Sequence, residues 1–421
     1  MRILIAILFL SIFIKGQSQT DTIVWQQLSP LPGVTIQGNG SGCFLIDSDF
    51  YVAGGEGGAW GSISQVWKYH IPNDSWTQVG NLPFGGAGSQ CTFVLNGKGY
   101  FLASRDSINN NNCDTMFWEY DPVGDIWNIR AGFPGAPRQN CSYFTSNGKG
   151  YVGQTYGCGF ADTYFWEYDP ILDNWTQITT LPSNITAGSV TISTLSTDAY
   201  LFGGYDQNGN LLKDVWKYNI MGNQWDSIGQ MPGLGRCYSV FWGFDSVIIG
   251  GGGETSDNDT IFKLGNDFYL YNIFLNLWRP VVFQNSFDSA GAGITFVYNN
   301  KGYYFGGYTS ITTSLIFNNN MWSFDASRFF PTDTSTGIAS VRADVTFSLY
   351  PNPVGHGQGF SISTSESGSI VFYDALGQLL DERKLVRGMN TVRLSTAAEV
   401  VFYRATLQDG RTENGKVVTS P

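Results

Sequence analysis

The stretch YLFGGYDQNGNLLKDVWKYNIMGNQWDSIGQMPG, from Tyr200 to Gly233, contains the order of residues that decides the fold. An apolar run ends in a glycine pair, an aromatic segment follows, and then comes a lone tryptophan with a proline seven residues after it. Short apolar and aromatic runs separated by Asn-Gly and similar turns are typical of antiparallel β-strands. The stretch therefore predicts a unit of four short strands.

The same order of residues recurs along the chain with a period of about 50 residues. The glycine pair or its remnant occurs at Gly54-Gly55, Ala103-Ser104, Gly153-Gln154, Gly203-Gly204, Gly250-Gly251 and Gly306-Gly307. The later tryptophan follows most of these pairs, at Trp76, Trp127, Trp175, Trp225 and Trp278. A four-stranded unit of this size cannot bury both faces alone, so it must pack against its neighbours. Radial packing into a propeller does this and leaves only short sheet edges.

The glycine pair, the spaced tyrosine and tryptophan residues and the period resemble kelch repeats over roughly residues 22–330. The sixth unit ends at MWSFDAS without its tryptophan strand, whereas the N-terminus begins with an unpaired one, IVWQQLSPLPG. We therefore expect an all-β chain whose residues 19–330 form a six-bladed kelch-type β-propeller, closed by the N-terminal strand around Trp25. The aromatic residues are expected to fill the wedges between blades.

Composition and residue counts exclude several functions. The net charge of −11 makes nucleic acid a poor partner, because phosphate binding needs a basic surface. The chain has only two histidines, His70 and His356, which is too few for a propeller-borne copper site and argues against a Ser-His-Asp triad. The segment Asp206–Asp214 lacks the glycine and the final carboxylate of a calcium loop, so a plain Asn-Gly turn is the favoured interpretation. We predict no metal and no cofactor.

The first residues indicate export. Arg2 is followed by about a dozen apolar residues and then by small and polar ones, which is typical of a signal peptide over residues 1–18. No later stretch approaches 18 consecutive apolar residues, so no transmembrane segment is expected.

The six cysteines fall into two groups. Cys43, Cys91, Cys141 and Cys237 lie in apolar runs that correspond to the innermost strands, where buried free thiols are the favoured interpretation and disulfides are the alternative. Cys113 and Cys158 lie in loops of neighbouring units that are expected on one face, which makes them a candidate disulfide.

A change in texture beyond Phe330 indicates a linker at residues 331–343 and a second domain at residues 344–421, with short alternating strands. The residues that stand out there are Tyr350, Pro351, Asn352, Pro353, Asp374, Gly377 and Lys416. With these residues the tail resembles the C-terminal sorting domain of type IX secretion cargo from Bacteroidetes, and an ordinary immunoglobulin-like adhesion module is the alternative. The resemblance implies a small immunoglobulin-like β-sandwich, the type IX secretion machinery as a partner, and a secreted or cell-surface protein exported across both membranes.

Candidate ligand-binding residues are those expected at one mouth of the ring, just past a glycine pair or just before an innermost strand. They are Glu56, Arg105, Asp106, Arg138, Tyr205, Arg236, Glu254 and Tyr308. Arginine, carboxylate and tyrosine side chains around a mouth suit a sugar or an acidic ligand. We expect a non-catalytic binding module for a glycan or a protein, with no catalytic residue assigned. The alternative is a carbohydrate-active isomerase resembling the kelch-type sialic acid mutarotases, and a buried glutamate facing an arginine across the mouth would favour it.

Overall fold

The computed structural model divides the chain into two compact units, Met1–Thr332 and Asp333–Pro421. It describes residues 21–33, 41–56, 62–85, 91–102, 105–106, 112–113, 115–136, 141–157, 160–181, 185–187, 190–193, 198–220, 222–244, 247–256, 262–273, 276–284, 291–309, 316–329, 347–350, 354–355, 359–364, 366–373, 379–394, 400–408 and 412–420. The predicted signal peptide and linker lie outside these ranges. No helix in the described ranges is long and apolar enough to cross a membrane.

The first unit is built from short strands. The first group comprises β1 (Asp21–Val24), β2 (Gln26–Leu28), β3 (Gly42–Ile46), β4 (Asp49–Glu56), β5 (Ser62–His70), β6 (Ser75–Asn81), β7 (Cys91–Leu95), β8 (Lys98–Leu102), β9 (Arg105–Asp106), β10 (Asn112–Cys113), β11 (Phe117–Asp121) and β12 (Ile126–Ile129). Next come β13 (Ser142–Ser146), β14 (Lys149–Gly157), β15 (Phe160–Asp169), β16 (Asn174–Thr180), β17 (Ile185–Ala187), β18 (Val190–Ser193), β19 (Asp198–Phe202), β20 (Tyr205–Asp206), β21 (Asp214–Asn219) and β22 (Gln224–Gln230). The last are β23 (Arg236–Cys237), β24 (Val240–Gly243), β25 (Val247–Gly251), β26 (Glu254–Ser256), β27 (Phe262–Leu264), β28 (Phe268–Asn272), β29 (Leu277–Gln284), β30 (Ile294–Tyr298), β31 (Lys301–Phe305) and β32 (Met321–Asp325). Single 3₁₀ turns cover Ile71–Asn73 and Ser327–Phe329.

Consecutive strands pair into antiparallel sheets of four, one for each sequence period, as the repeat predicts. The sheets are β3-β4-β5-β6, β7-β8-β11-β12, β13-β14-β15-β16, β18-β19-β21-β22, β24-β25-β28-β29, to which β1 adds a fifth strand, and β30-β31-β32-β2. Three shorter ribbons lie in the connections that follow a glycine-pair position or precede the first strand of a sheet. They are β9-β10, β17-β20 and β23-β26-β27. These ribbons belong to the connections where the sequence places the candidate ligand residues.

The N-terminal segment joins two sheets. Strand β2 pairs antiparallel with β32, so Gln26 lies opposite Ser323 and the sheet of β30–β32 gains its fourth strand, as the sequence predicts. Strand β1 pairs in parallel with β29, which the sequence did not indicate. Trp25 lies between the two strands and is only 4% exposed, with its ring stacked on Phe283 at 4.8 Å and edge-on to Phe324 at 5.1 Å.

The Asn-Gly hairpins and the glycine that follows them fit the contact between neighbouring sheets. Asn96 and Gly97 both have positive φ, 52° and 73°, which matches the tight two-residue turn expected from the sequence. A Cβ atom on Gly99 would lie 2.6 Å from the ring of Phe44, which belongs to the preceding sheet. Glycine is therefore required here because an aromatic ring of the neighbour occupies the side-chain space.

Tyrosine residues of the third strands hold the next turn in place through a contact that the sequence analysis missed. Each hydroxyl donates to an aspartate or asparagine five residues on, and these pairs are Tyr69–Asp74 at 2.6 Å, Tyr120–Asp125 at 3.0 Å, Tyr168–Asp173 at 2.8 Å, Tyr218–Asn223 at 2.7 Å and Tyr271–Asn276 at 3.0 Å. Each acceptor residue has a φ near +50°, which aspartate and asparagine tolerate better than most residues. The spacing of tyrosine and acceptor is thus a second signature of the repeat.

The same acceptors link one sheet to the one before it. In the third sheet Asp173 accepts a hydrogen bond from the backbone N–H of Ala131, and the indole of Trp175 donates to the Ala131 carbonyl at 3.1 Å. At the N-terminus, the Ser29 N–H donates to Asp74 and the indole of Trp76 donates to the Ser29 carbonyl, both at 2.8 Å. The segment after β2 therefore contacts the first sheet in the way that the segment after β12 contacts the third.

The prediction of free thiols on the innermost strands was wrong for one pair. Cys91, at the start of β7, and Cys141, just before β13, form a disulfide with their Cα atoms 6.4 Å apart. Cys43 and Cys237 are buried free thiols, as predicted. The candidate pair Cys113 and Cys158 lies outside the described side chains.

The second unit, described by itself, contains β33 (Phe347–Tyr350), β34 (Val354–Gly355), β35 (Gly359–Thr364), β36 (Gly368–Tyr373), β37 (Leu379–Leu385), β38 (Gly388–Arg393), β39 (Val400–Leu407) and β40 (Thr412–Ser420). They form two sheets, β33-β35-β38 and β34-β40-β39-β36-β37. Buried residues such as Phe360, Ile370, Phe372 and Val401 form its core. Of the motif residues, Lys416 lies in β40; Pro351, Asn352, Pro353, Asp374, Gly377 and the side chain of Tyr350 lie outside the described part.

Candidate functional site

The candidate residues whose side chains are described lie in the last three repeats of the first unit. Tyr205, Arg236 and Glu254 lie in the ribbons past the glycine pairs, and Tyr308 follows Gly306-Gly307. Glu56, Arg105 and Asp106 end or form strands, but their side chains are outside the described part of the structure, as is Arg138 altogether. The site is therefore described from Tyr205, Arg236, Glu254 and Tyr308 and from the residues that contact them.

Arg236 is a structural residue rather than an exposed one at the mouth. Its side chain is 0% exposed, and its guanidinium binds the Asp267 carboxylate through two contacts, Nη2 to Oδ2 at 2.6 Å and Nη1 to Oδ1 at 3.1 Å. Nη1 also donates to the Gly252 carbonyl at 3.2 Å. Although burial opposes ionisation, the hydrogen bonds and charge of Arg236 hold the pKa of Asp267 below its usual range. The expected ligand arginine instead joins the two glycine-rich connections of the fifth unit.

Glu254 and Tyr308 are in direct contact across neighbouring sheets. The Tyr308 hydroxyl donates to Glu254 Oε1, and the Cys237 thiol lies 3.8 Å from Oε2. Burial, and then the adjacent Glu254 charge, raises the pKa of Tyr308 and of Cys237. Both donors are therefore neutral near pH 7, and both hold the carboxylate in a fixed position.

Tyr238 extends this cluster towards the fourth sheet. Its ring lies edge-on to Tyr205, with centroids 6.5 Å apart, and burial is the largest cause of its raised pKa, followed by Tyr205. Its φ of 49° is the left-handed conformation, which is rare for a bulky aromatic residue. The Tyr238 carbonyl accepts a hydrogen bond from the N–H of Ala292 at 3.0 Å. Backbone strain of this kind is concentrated at functional sites. Sequence reasoning missed Tyr238, because nothing in the repeat marks it.

We name these residues the tyrosine–glutamate cluster, comprising Tyr205, Cys237, Tyr238, Glu254 and Tyr308. It offers one carboxylate, neutral hydroxyl and thiol donors and aromatic rings, a combination that can bind a polar ligand group. The side chains that contact Glu254 in the described part of the chain do not include an arginine. The glutamate–arginine pair that would favour an isomerase is thus not formed by Glu254 and Arg236.

Within the described residues, no group of three or more histidine, cysteine, aspartate or glutamate side chains is placed to hold a metal ion. Asp206 accepts from the backbone N–H groups of Asn208 and Asn210 at 2.8 and 2.9 Å, so its carboxylate shapes the turn. The partly exposed His70 contacts Asp49, with Nδ1 and Oδ1 2.6 Å apart.

Comparison with known proteins agrees with this architecture. The kelch motif matches residues 38–83 and 189–232. A solved structure titled "Structure of YjhT" is similar in fold, with a TM-score of 0.58 and 15% sequence identity over 70% of this chain and 95% of that one. Together with the four-stranded sheets, these findings support a kelch-repeat protein. Its first unit has the β-propeller fold, while the low identity to YjhT bears on fold alone. No curated protein matches the chain.

Proposed function

We propose that this kelch-repeat protein is an exported binding module that takes a glycan or protein ligand at the face where the ribbons extend past the glycine pairs. The observation that carries the proposal is the convergence of Tyr205, Glu254 and Tyr308, which come from three successive repeats and meet in one cluster through Tyr238 and Cys237. Ligand groups in propellers bind where loops from several blades converge.

The proposed ring has six blades and closes through the N-terminal strand. This proposal is supported by the pairing of β2 with β32 and by the contacts of Ser29 with Asp74 and Trp76, which repeat the contacts of Ala131 with its own neighbouring sheet. A closed ring fixes the positions of the repeats and so gives the cluster a rigid support.

The proposed destination is the cell surface or the medium, reached by a signal peptide and then by the type IX machinery acting on the C-terminal unit, which we propose is an immunoglobulin-like sorting domain. The Cys91–Cys141 disulfide supports export, because disulfides persist in oxidising compartments. Deletion of residues 344–421 tests the route: the proposal expects the shortened protein to stay in the periplasm, and its appearance outside the cell would refute it.

A carbohydrate isomerase of the mutarotase type is the second candidate, favoured by one observation. Glu254 is a carboxylate held by a tyrosine hydroxyl, which is suitable for proton transfer. Its weakness is the position of Arg236, which is buried on Asp267 and cannot anchor a substrate carboxylate.

Binding is tested by thermal shift on the full chain against a panel of monosaccharides, oligosaccharides and peptides. A ligand at 100 times its dissociation constant adds about 2.7 kcal/mol of stability, which is easily detected. Hits are then measured with the Tyr205→Ala variant and with Tyr164→Ala, a matched control at an exposed tyrosine of β15. Loss of binding in the first variant alone supports the proposal. Equal loss in both variants, or binding that survives in both, would place the ligand elsewhere. Anomer exchange measured by NMR with Glu254→Gln separates catalysis from binding.

A further inference from the structure

The Glu254 carboxylate is held by neutral groups. In the ribbon β23-β26 it lies opposite Cys237, and its contacts are the Cys237 thiol and the Tyr308 hydroxyl. Because burial keeps both of these donors in their neutral, protonated form near pH 7, neither supplies a positive charge to the carboxylate.

The arginine next to this carboxylate in the ribbon is already used. Arg236 lies opposite Thr255, one register position from the Cys237–Glu254 pair, so its side chain leaves the ribbon on the other face. Its guanidinium is fully buried against Asp267 and the Gly252 carbonyl. The two faces of one short ribbon thus have different roles, a compensated ion pair on one and an anionic group on the other.

Aromatic rings and overall charge add to the attraction for a cation. Tyr205 and Tyr238 pack edge-on, and Tyr308 packs edge-on against Phe317 with centroids 6.2 Å apart. Aromatic faces attract ammonium groups, and a carboxylate beside them strengthens the attraction. The chain as a whole carries −11, which increases the local concentration of cations and lowers that of anions.

We infer that the tyrosine–glutamate cluster binds a primary ammonium group of the ligand, with Glu254 accepting from the ammonium and the tyrosine rings lying beside it. This inference rests on the proposed binding function and makes it specific. The shared chemistry has two sources, an amino sugar in a glycan or a lysine side chain in a protein. A carboxylate-bearing sugar is disfavoured at the same place because it would face the Glu254 charge.

Isothermal titration of the full chain tests the inference with paired probes that differ in one charge. Glucosamine is compared with N-acetylglucosamine, and Nα-acetyl-lysine amide with its Nε-acetylated form. We expect the ammonium member of one pair to bind and its acetylated partner to bind at least about tenfold more weakly, because hydrogen bonds to charged groups are the stronger ones. The pair that responds identifies the source.

Two variants locate the effect. Glu254→Gln keeps the shape and removes the charge, and should weaken ammonium binding about tenfold or more. Asp226→Asn removes an exposed carboxylate of β22 and should leave binding unchanged. If Glu254→Gln does not fold, the comparison of each ammonium probe with its acetylated partner on the wild-type protein still tests the inference. Binding of the ammonium probe to a carboxylate must also weaken when salt is added.

The inference is overturned if acetylated probes or N-acetylneuraminic acid bind as well as the ammonium probes, or if Glu254→Gln binds them normally. It is also overturned if neither ammonium probe binds at about 10 mM, well above the weakest dissociation constants of interest. A glycan or peptide that binds in the thermal-shift panel without an ammonium group would refute this inference and leave the proposed binding function standing. A panel without any hit would remove both.

Discussion

Replacement of Trp25 by alanine should loosen the N-terminal segment from two sheets at once. The indole is 4% exposed and packs on Phe283 of β29 and Phe324 of β32, while Trp242 lies 5.6 Å away between them. On one side of it β1 extends one sheet, and on the other side β2 completes another. The cavity left by the indole therefore lies at the place where the proposed ring closes.

The expected cost follows from burial. Truncation of a buried tryptophan to alanine destabilises a protein by about 3–5 kcal/mol, because transfer energy is lost and a cavity remains. The described part of the first unit spans about 310 residues, and an unfolding entropy of about 2.1 cal/mol/K per residue gives about 1.5 °C for each kcal/mol. The melting transition of the first unit should thus fall by about 5–8 °C.

Differential scanning calorimetry measures the fall, and limited proteolysis shows where the chain opens. Val24→Ala is the matched control, because this neighbouring side chain is 53% exposed and should change stability by less than about 0.5 kcal/mol. In the Trp25 variant the first cuts should appear in the segment that holds β1 and β2. A melting temperature within about 1 °C of wild type, or first cuts in the middle of the unit, would show that the N-terminal segment does not hold the sheets together.

Three further changes test other contacts. Asp267→Asn leaves the buried Arg236 without a counter-charge and should lower the free energy of unfolding by about 3 kcal/mol at pH 7. The pKa of Asp267 is depressed in the folded state, so the stability that its carboxylate contributes is present above the unfolded pKa of about 3.9 and is lost as the pH falls further. The difference in unfolding free energy between wild type and variant, measured by urea unfolding, should therefore narrow below about pH 4. Gly150→Ala should destabilise the protein by about 1–3 kcal/mol, because the added Cβ would meet the ring of Phe93 in the preceding sheet. Gly222→Ala is the control: the nearest atoms to its Cβ would lie at 3.6 Å, and it should cost less than about 1 kcal/mol in the same assay. The double variant Cys91→Ser, Cys141→Ser should lose about 2–4 kcal/mol of unfolding free energy. A peptide map of the wild-type protein under non-reducing conditions should show the Cys91–Cys141 cross-link, and a free thiol at either position would contradict the pairing.

The repeat made the sheets predictable, because glycine, tyrosine and tryptophan each have a packing role that recurs in several periods. Gly99 is needed where the ring of Phe44 enters from the neighbouring sheet, and Gly150 is needed in the same way beside the ring of Phe93. The pairing of β2 with β32 was predictable for the same reason, since one period lacked a strand and the N-terminus supplied one. Strand β1 was not predictable, because its parallel pairing with β29 belongs to no period.

The cysteines show that a sequence period predicts where a residue lies in its repeat but not which residue it contacts in the next one. Cys91 begins β7 and Cys141 precedes β13, 50 residues further along the chain. The length of the period does not give the distance between such residues in neighbouring sheets. A disulfide requires Cα atoms within about 7 Å, and only the geometry of adjacent sheets decides whether two such residues reach that distance. Cys43, in the preceding unit, is also buried and remains free.

The prediction of the candidate site also lacked this three-dimensional information, and here the side chains of two candidate residues lie on opposite faces of a ribbon. Arg236 and Glu254 both lie in the β23-β26 ribbon, but a sequence does not say on which face of a short ribbon a side chain emerges. In the structure one register step separates them: Arg236 leaves on the face of Asp267, and Glu254 on the face of Tyr308. That single step separates the arginine and the carboxylate that were expected together at one mouth, and it leaves Glu254 in contact with Tyr308 and Cys237. If the cluster binds an ammonium group as we infer, strand register decides the charge preference of the ligand, and a comparison of the ammonium probes with N-acetylneuraminic acid measures that preference directly.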